Sequence, residues 1–250
     1  MCRHWFLMLI WLLALPVYSQ NLSVAVATNF AAPLRLLLPL FQQQNPTASI
    51  QINPGASGHL YAQIKQGAPY DIFLSADQDK PQKLEQSGLI VAGSRFVYAT
   101  GKLALWVRQA ADQVTSHSLQ TQPPQRIAIA NPQTAPYGRA SIEVMQSLDL
   151  YTQMKSRLIK GQNVQHAYQF VEGGHVDAGF VALSQIQQAN HLQQVWEIPQ
   201  KHYHPIVQEG VWLRQARNNK VAQKFVIFLQ SPPVQQLISE MGYVDNTVRR

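Results

Sequence analysis

The chain has 250 residues, a length that allows one large domain or two medium ones. Hydrophobic residues make up 46% of the chain and charged residues 13%, about half of the ~25% that is typical of globular proteins. This high hydrophobic content and low charge exclude a disordered chain. The formal net charge is +7, but the sequence contains no dense Lys/Arg cluster of the kind that a nucleic-acid site needs. A single cysteine excludes a disulfide framework and a multi-cysteine metal site.

The first 19 residues have the organisation of a secretory signal peptide. Arg3 and His4 form a short basic segment, an unbroken apolar run follows at 5–15, and Pro16 ends it shortly before the small residue Ser19. The apolar run of roughly 11 residues is short of the ~20 that a spanning helix needs, which disfavours the alternative of an uncleaved membrane anchor. We therefore expect an exported chain that is cleaved near Ser19 and is not inserted in the membrane afterwards.

Strands and helices are predicted to alternate along 22–88. Phe30, Leu34 and Phe41 repeat at helical spacing, whereas the apolar runs before and after them have the length of buried strands. The predicted strands lie at 22–27, 48–53 and 71–75, and the predicted helices at 30–44, 57–67 and 77–86. Pro54 and Gly55 are expected to turn the chain. This alternation favours a mostly parallel sheet with helices on both faces.

A second alternating unit follows after a change of pattern. Two apolar stretches within 96–107 are separated at 100–102, and the polar, proline-containing segment 109–125 is predicted to be a loop. The later elements are predicted as a strand at 126–130, helices at 136–148, 151–160 and 164–171, a strand at 178–182, an extended stretch at 203–213, and helices at 216–229 and 233–241.

Two α/β units and two long extended stretches predict a two-lobed α/β protein. The stretches 96–108 and 203–213 are the places where the chain can cross between lobes. The predicted division is a signal peptide at 1–19, lobe I at 20–100 plus 206–250, and lobe II at 101–205. A cleft between two such lobes is the usual place for a small ligand.

Four of the predicted helices begin in turns that carry no charged residue. These turns lie at 28–29, 55–58, 131–138 and 162–164. The start of a helix has unpaired backbone N–H groups and a positive dipole end, so it binds anions. The alternative is that Thr, Asn and Ser serve as ordinary helix caps there. The four turns form a site only if the fold brings them together in one cleft.

These turns and their flanking segments resemble the molybdate-binding proteins of bacterial ABC importers. The matching stretches are AVATNF (25–30), GASGHLYAQIKQGAPYDIFLSAD (55–77), GSRFVYATGKLALW (93–106), IAIANPQTAPYG (127–138), DAGFVALSQI (177–186) and YHPIVQEGVW (203–212). The resemblance covers nearly all of the chain after the signal peptide and is closest to the subgroup with ATNF after its first strand. It implies a periplasmic type II binding-protein fold, in which each lobe is a mixed sheet flanked by helices and a two-stranded hinge joins the lobes.

The resemblance also implies which residues hold the oxyanion. Thr28, Asn29 and Ser57 match the family's ligand contacts in the first two turns, Tyr137 matches in the APYG turn, and Val164 would contribute its backbone N–H. The expected ligand is molybdate, with tungstate expected to bind as well, and no cofactor is implied. The expected partner is the membrane permease of an ABC importer, and we expect the protein itself to be a monomer.

Two departures from the family pattern bear on this site. Ala56 stands where the subgroup commonly has a serine, so a hydroxyl donor is missing there or only a backbone N–H was needed. Other members place a tyrosine ligand after the strand that matches 178–182, whereas this chain has Ala182, so Tyr137 is expected to take that role. No basic side chain is expected to touch the ligand, and Arg139 is expected to point to solvent.

Other functions are weaker alternatives. Ser57 in GASGH nearly mimics a hydrolase nucleophile elbow, but that motif needs a glycine where His59 stands. A metal-ion receptor could use His202 and His204, or Asp77 and Asp79, yet the pair of adjacent tyrosines typical of ferric receptors is missing from the sequence. A purely structural or interaction protein is a further alternative that the Trp and Tyr residues could indicate, but single aromatic residues on strands usually belong to the core. Within the resemblance, sulfate is the main competing ligand. We therefore expect a binding protein and not an enzyme.

Overall fold

The computed structural model describes residues 20–109, 114–189 and 194–245. The predicted signal peptide lies outside these residues. Within the described ranges no helix combines the length and apolar character that membrane crossing requires.

The described residues form two sheets of five strands each. In chain order the strands are β1 (Gln20–Ala27), β2 (Ala48–Gly55), β3 (Ile72–Leu74), β4 (Phe96–Gly101), β5 (Leu103–Val107), β6 (Ile127–Ala130), β7 (Leu158–Gly161), β8 (Ala178–Ala182), β9 (Val195–Glu197) and β10 (Ile206–Trp212). The first sheet has the order β2-β1-β3-β10-β4 and the second has the order β7-β6-β8-β5-β9. Each sheet is mixed, with β10 antiparallel to its neighbours in the first and β5 antiparallel to its neighbours in the second.

The helices lie against these two sheets. In chain order they are α1 (Thr28–Gln44), α2 (Ser57–Lys65), α3 (Asp79–Gln86), α4 (Ser116–Thr121), α5 (Pro136–Ser147), α6 (Tyr151–Met154), α7 (Val164–Glu172), α8 (Leu183–Ala189), α9 (Lys220–Gln230) and α10 (Pro232–Glu240). The expected α/β fold with two lobes, each a mixed sheet flanked by helices, is confirmed.

The first lobe is built on the apolar face of α1. Phe30, Leu34, Leu37 and Phe41 recur at helical spacing and are 0–1% exposed. Phe41 meets the ring of Phe225 of α9 edge-on, with the ring centroids 5.3 Å apart. This packing fixes α1 on the sheet, and with it the position of the first turn of the helix.

The second lobe is organised around β6. All four residues of β6 are buried, which is the pattern of a strand covered on both faces. β6 pairs in parallel with β7 and β8, and α5 begins shortly after its carboxyl end. The start of α5 is therefore set by the centre of the second sheet.

The hinge consists of two chain crossings. Lys102 alone separates β4 of the first sheet from β5 of the second. The chain returns after β9 and joins the first sheet as β10, which pairs with β4. The two-stranded hinge predicted at these stretches is confirmed.

Several local predictions were wrong. The predicted helix at 151–160 is only α6 and a 3-10 turn at Lys155–Arg157, after which β7 pairs with β6. Without β7, the backbone N–H and C=O groups on one edge of β6 would have no partner. Pairing of these groups outweighs the local helical spacing of the residues in β7. Pro54 and Gly55 continue β2 against β1 and do not turn the chain. The predicted loop at 109–125 contains α4, and α8 and β9 were not predicted.

Candidate functional site

Four helix starts surround one small cavity between the lobes. α1 and α2 come from the first lobe, and α5 and α7 come from the second. Among the described residues that line this cavity, none carries a formal charge. The lining residues are Ala27, Thr28, Asn29, Gly55, Ala56, Ser57, Ala76, Ala135, Pro136, Tyr137, Asn163 and Val164. The structure thus brings all five predicted site residues to one place.

Three of the four helices begin without a side-chain cap. The residues in the cap position are Ala27 for α1, Ala56 for α2 and Ala135 for α5, and alanine has no acceptor to offer. Thr28 and Ser57 are the first helical residues and not caps, so the interpretation of these two side chains as ordinary caps is wrong. Backbone N–H groups of the first turns and the positive dipole ends are therefore directed at the cavity.

The fourth helix start, that of α7, is capped. The Asn163 side chain accepts a hydrogen bond from the His166 N–H at 3.0 Å. Val164 is the first residue of α7 and is buried. Its N–H has no acceptor within the helix. The Asn163 cap holds the first turn in place while leaving the Val164 N–H beside the cavity.

The Ser57 hydroxyl is oriented by the first lobe. Ser57 is 1% exposed, and its Oγ accepts a hydrogen bond from the Ala76 backbone N–H at 2.9 Å. That bond uses an oxygen lone pair and leaves the hydroxyl hydrogen for donation. Ser57 thus offers a donor to the cavity with its direction restricted by a second strand-to-helix turn.

Asn29 lines the cavity, and its side-chain amide also forms hydrogen bonds within the protein. Its Nδ2 donates to Gln208 Oε1 at 2.9 Å and to the Tyr243 hydroxyl at 3.2 Å. The Tyr243 hydroxyl in turn donates to the Asn29 carbonyl at 2.9 Å. The Asn29 side-chain amide therefore has protein partners in the structure. The group that Asn29 can offer is its backbone N–H in the first turn of α1.

The Tyr137 hydroxyl lies on the hinge side of the cavity. It accepts a hydrogen bond from Gln208 Nε2 at 3.3 Å and lies against Gly101, where a Cβ atom would collide with it. Burial raises the pKa of Tyr137 well above its usual range, so the hydroxyl keeps its proton at neutral pH. Tyr137 is also the second residue of α5, so its backbone N–H belongs to the first turn beside the cavity.

The two lobes touch around the cavity. The Gly58 N–H at the start of α2 donates to the Thr134 carbonyl of the second lobe at 2.9 Å. Arg139 of α5 donates to Asp77 Oδ2 of the first lobe at 2.8 Å, so the expectation that Arg139 points to solvent was wrong. A nearby carboxylate outweighs solvation of the guanidinium, whose side chain is still 40% exposed. These contacts place the lobes in a closed arrangement.

The histidine and aspartate pairs considered for a metal do not converge in the described ranges, where no group of three or more His, Cys, Asp or Glu side chains could hold an ion. The His204 side chain is 90% exposed beside Glu143, and His202 contacts the Ser147 hydroxyl. Asp77 and Asp79 are both paired with lysine.

Sequence reasoning missed Gln208, which contacts both Asn29 and Tyr137. The available signal was a glutamine inside the apolar stretch 203–213, because an uncharged polar residue in a buried strand needs hydrogen-bond partners.

The sequence-family model that describes bacterial extracellular solute-binding proteins matches residues 22–244 of this chain. The chain belongs to this family. The solute-binding proteins identified as its relatives include the molybdate-binding protein ModA of Azotobacter vinelandii, which is 39% identical over 237 residues and 93% of each chain. ModA of Rhodobacter capsulatus is 38% identical over 232 residues, 93% of this chain and 91% of that one. The predicted resemblance to molybdate-binding proteins is confirmed.

Solved structures agree with this membership. The periplasmic molybdate-binding protein of Azotobacter vinelandii superimposes with a TM-score of 0.84 at 38% identity, over 89% of this chain and 98% of that chain. The sulfate-binding protein SubI of Mycobacterium tuberculosis H37Rv superimposes with a TM-score of 0.76 over 91% of this chain and 88% of that one. Its identity of 11% shows a shared fold alone.

Proposed function

We propose that this solute-binding protein captures molybdate between its two lobes by uncharged hydrogen-bond donors. The observation that carries the proposal is the convergence of four helix starts, from both lobes, on a cavity whose described lining residues are all neutral. The relatives named as molybdate-binding proteins at 38–39% identity support the choice of ligand.

The donor set suits a fully deprotonated dianion. Every oxygen of molybdate accepts hydrogen bonds and none donates at neutral pH. Protonated phosphate would bring its own donor into a cavity of donors, and an unmatched buried polar group costs ~1–3 kcal/mol. Tungstate has the same charge and shape, so it is proposed as a second ligand. Sulfate shares the charge and hydrogen-bonding character, so discrimination against it must come from size.

The site residues are proposed in specific roles. Ser57 donates its hydroxyl, and Thr28 provides a donor at the start of α1. Asn29, Tyr137 and Val164 provide backbone N–H groups from the first turns of three helices. Helix dipoles and amides spread the charge of the anion, so a lysine or arginine contact is unnecessary.

Capture is proposed to proceed by closure of the lobes. Thr28, Asn29 and Ser57 belong to the first lobe, and Tyr137 and Val164 belong to the second. Only the closed state lets both groups bond one anion, so the ligand stabilises that state. We further propose periplasmic export of a monomer with lobes at 20–100 plus 206–250 and 101–205, and delivery of the anion to the permease of an ABC importer.

Titration calorimetry with sodium molybdate, tungstate, sulfate and phosphate tests the proposal. We expect molybdate and tungstate to bind at micromolar concentration or below, with molybdate binding unaffected by excess sulfate or phosphate. Ser57→Ala should weaken molybdate binding by ~1–3 kcal/mol, because a buried donor is removed. Ser141→Ala is the matched control, since Ser141 is equally buried but bonds the Tyr137 carbonyl within α5. Equal competition by sulfate would overturn the assignment of molybdate as the selected ligand, but not the fold.

A further inference from the structure

The hinge strand β10 carries a fully buried amide that contacts two residues of the cavity lining, Asn29 and Tyr137. Gln208 is 0% exposed. Its Oε1 accepts from Asn29 Nδ2 at 2.9 Å and from the Tyr98 hydroxyl at 2.8 Å, and its Nε2 donates to the Tyr137 hydroxyl at 3.3 Å. One side chain thus bonds the first turn of α1 in one lobe and the first turn of α5 in the other.

The backbone around Gln208 is shaped for this placement. A β-bulge between Gln208 and Glu209 interrupts the pairing of β10 with β4, and bulges re-aim side chains. On the opposite strand, a Cβ atom at Gly101 would lie 2.7 Å from Gln208 Nε2 and would collide with the Tyr137 hydroxyl. Glu209 is directed elsewhere, to an ion pair with Arg95 at 2.9 Å. The carboxylate is therefore kept away and the neutral amide occupies the position between the lobes.

We propose that Gln208 is a positioning residue that couples lobe closure to the arrangement of the anion-binding helix starts. This inference rests on the proposed function. Tyr137 moves with the second lobe, whereas Asn29 and Tyr98 belong to the first, so the bond from Nε2 to Tyr137 is made when the lobes close. Once made, it holds the starts of α1 and α5 in the relative position that one small anion requires.

Neutrality of this residue follows from the same geometry. A carboxylate at this position would contact two residues of the cavity lining in a low-dielectric interior and would repel a bound dianion. It would also replace the donor that faces the Tyr137 hydroxyl by an acceptor. An amide supplies an acceptor to the first lobe and a donor to the second without adding charge.

The test compares molybdate binding by the wild type, Gln208→Met and Gln208→Glu. Gln208→Met keeps the length of the side chain but removes its bonds, and we expect molybdate affinity to fall about tenfold or more with faster dissociation. Gln208→Glu should bind weakly at alkaline pH and regain affinity as the pH is lowered, within the range in which molybdate stays deprotonated. A merely structural role would not produce this pH profile, and the wild type should be flat over the same range.

Gln235→Met is the matched control. Gln235 Nε2 donates to the Tyr98 carbonyl at 3.0 Å and to the Leu229 carbonyl at 2.7 Å, and Gln235 is not among the residues that line the cavity. This variant should lower the melting temperature without changing molybdate affinity. If Gln208→Met does not fold, the pH profile of Gln208→Glu decides, because glutamate keeps the shape of the side chain and only its charge changes with pH.

The outcomes separate the two proposals. If the wild type binds molybdate and folded Gln208→Met has unchanged affinity and dissociation, the role of Gln208 alone is overturned. A flat pH profile of Gln208→Glu at wild-type affinity does the same. Failure of the wild type to bind molybdate overturns the proposed function and this inference together.

Discussion

The ion pair between Asp77 and Arg139 joins the two lobes beside the cavity and not inside it. The Asp77 side chain is 12% exposed and that of Arg139 is 40% exposed, with 2.8 Å between Oδ2 and the guanidinium. Within its own lobe Asp77 also bonds Lys80 at 2.9 Å and the Ser75 hydroxyl at 3.0 Å. Separation of the lobes would break the bond to Arg139 and leave the others, so this ion pair favours the closed state.

The magnitude of its contribution follows from the exposure. Arg139 is in contact with water, so the pair is worth ~0.5–1 kcal/mol, near the upper end for exposed pairs because Asp77 itself is nearly buried. We therefore expect Arg139→Gln to raise the dissociation constant for molybdate ~2–5-fold, chiefly through faster release. The difference from the wild type should shrink as salt is added, because salt screens the pair.

Asp77→Asn distinguishes this closure effect from a long-range attraction between Arg139 and the dianion. If Arg139 acted by attraction at a distance, removal of the negative charge of Asp77 would tighten molybdate binding. If the ion pair stabilises the closed state, Asp77→Asn must weaken binding by a factor similar to that of Arg139→Gln. Lys80→Gln is the control, because its bond to Asp77 persists in both states and its loss should leave the affinity unchanged. Calorimetry that shows tighter or equal binding by Asp77→Asn would refute the reasoning.

Three further perturbations test other parts of the structure. Gly58→Ala places a Cβ atom 3.0 Å from the Thr134 backbone of the opposite lobe, so we expect weaker molybdate binding. The melting temperature should not fall, because alanine favours the helix. Equal affinity would show that this contact does not limit closure. Val164→Pro removes a backbone N–H at the first position of α7, where proline is tolerated. It should reduce the affinity for molybdate ~5-fold or more, whereas Val164→Ala should not. Equal affinities of the two variants in calorimetry would show that the Val164 N–H does not bind the anion. Burial raises the pKa of Tyr98 and of Tyr137 well above the ordinary value of 10.0. As the pH rises past about 10, these two hydroxyls therefore lose their protons in the unfolded state before they do so in the folded state. The free energy of unfolding, measured by urea titration, should therefore be independent of these groups below pH ~10 and decrease above it; no decrease would contradict the assigned burial.

Helices and strands were predictable from the sequence where their own residues show a clear helical spacing or a continuous apolar run. The spacing of Phe30, Leu34 and Phe41 specified α1, and the apolar runs specified most central strands. The pattern was insufficient at the edges of the sheets. β7 contributes only Leu158 and Ile159 as apolar residues, and its strand conformation arises from pairing with β6. Such pairing depends on residues about thirty positions away, which local periodicity does not contain.

The site was predictable in its membership but not in its hydrogen bonding. The uncharged turns identified the helix starts that meet at the cavity, and the family resemblance selected residues within them. It did not reveal that the Asn29 amide and the Tyr137 hydroxyl are held by Gln208, because that contact joins residues 179 and 71 positions apart. The pairing of Arg139 with Asp77 was missed for the same reason.

The separation of charge from the cavity has a consequence for selectivity. A cation in the cavity would attract molybdate and sulfate alike, because both are dianions, whereas neutral donors at fixed positions discriminate by fit. The Asp77–Arg139 pair, which lies outside the cavity lining, contributes to closure over any bound anion equally. Arg139→Gln should therefore weaken molybdate and tungstate binding by the same factor and leave the preference over sulfate unchanged. Ser57→Ala, which alters the donors themselves, should change that preference. Competition calorimetry on the two variants measures both ratios, and a changed sulfate ratio in Arg139→Gln would place the guanidinium in contact with the ligand.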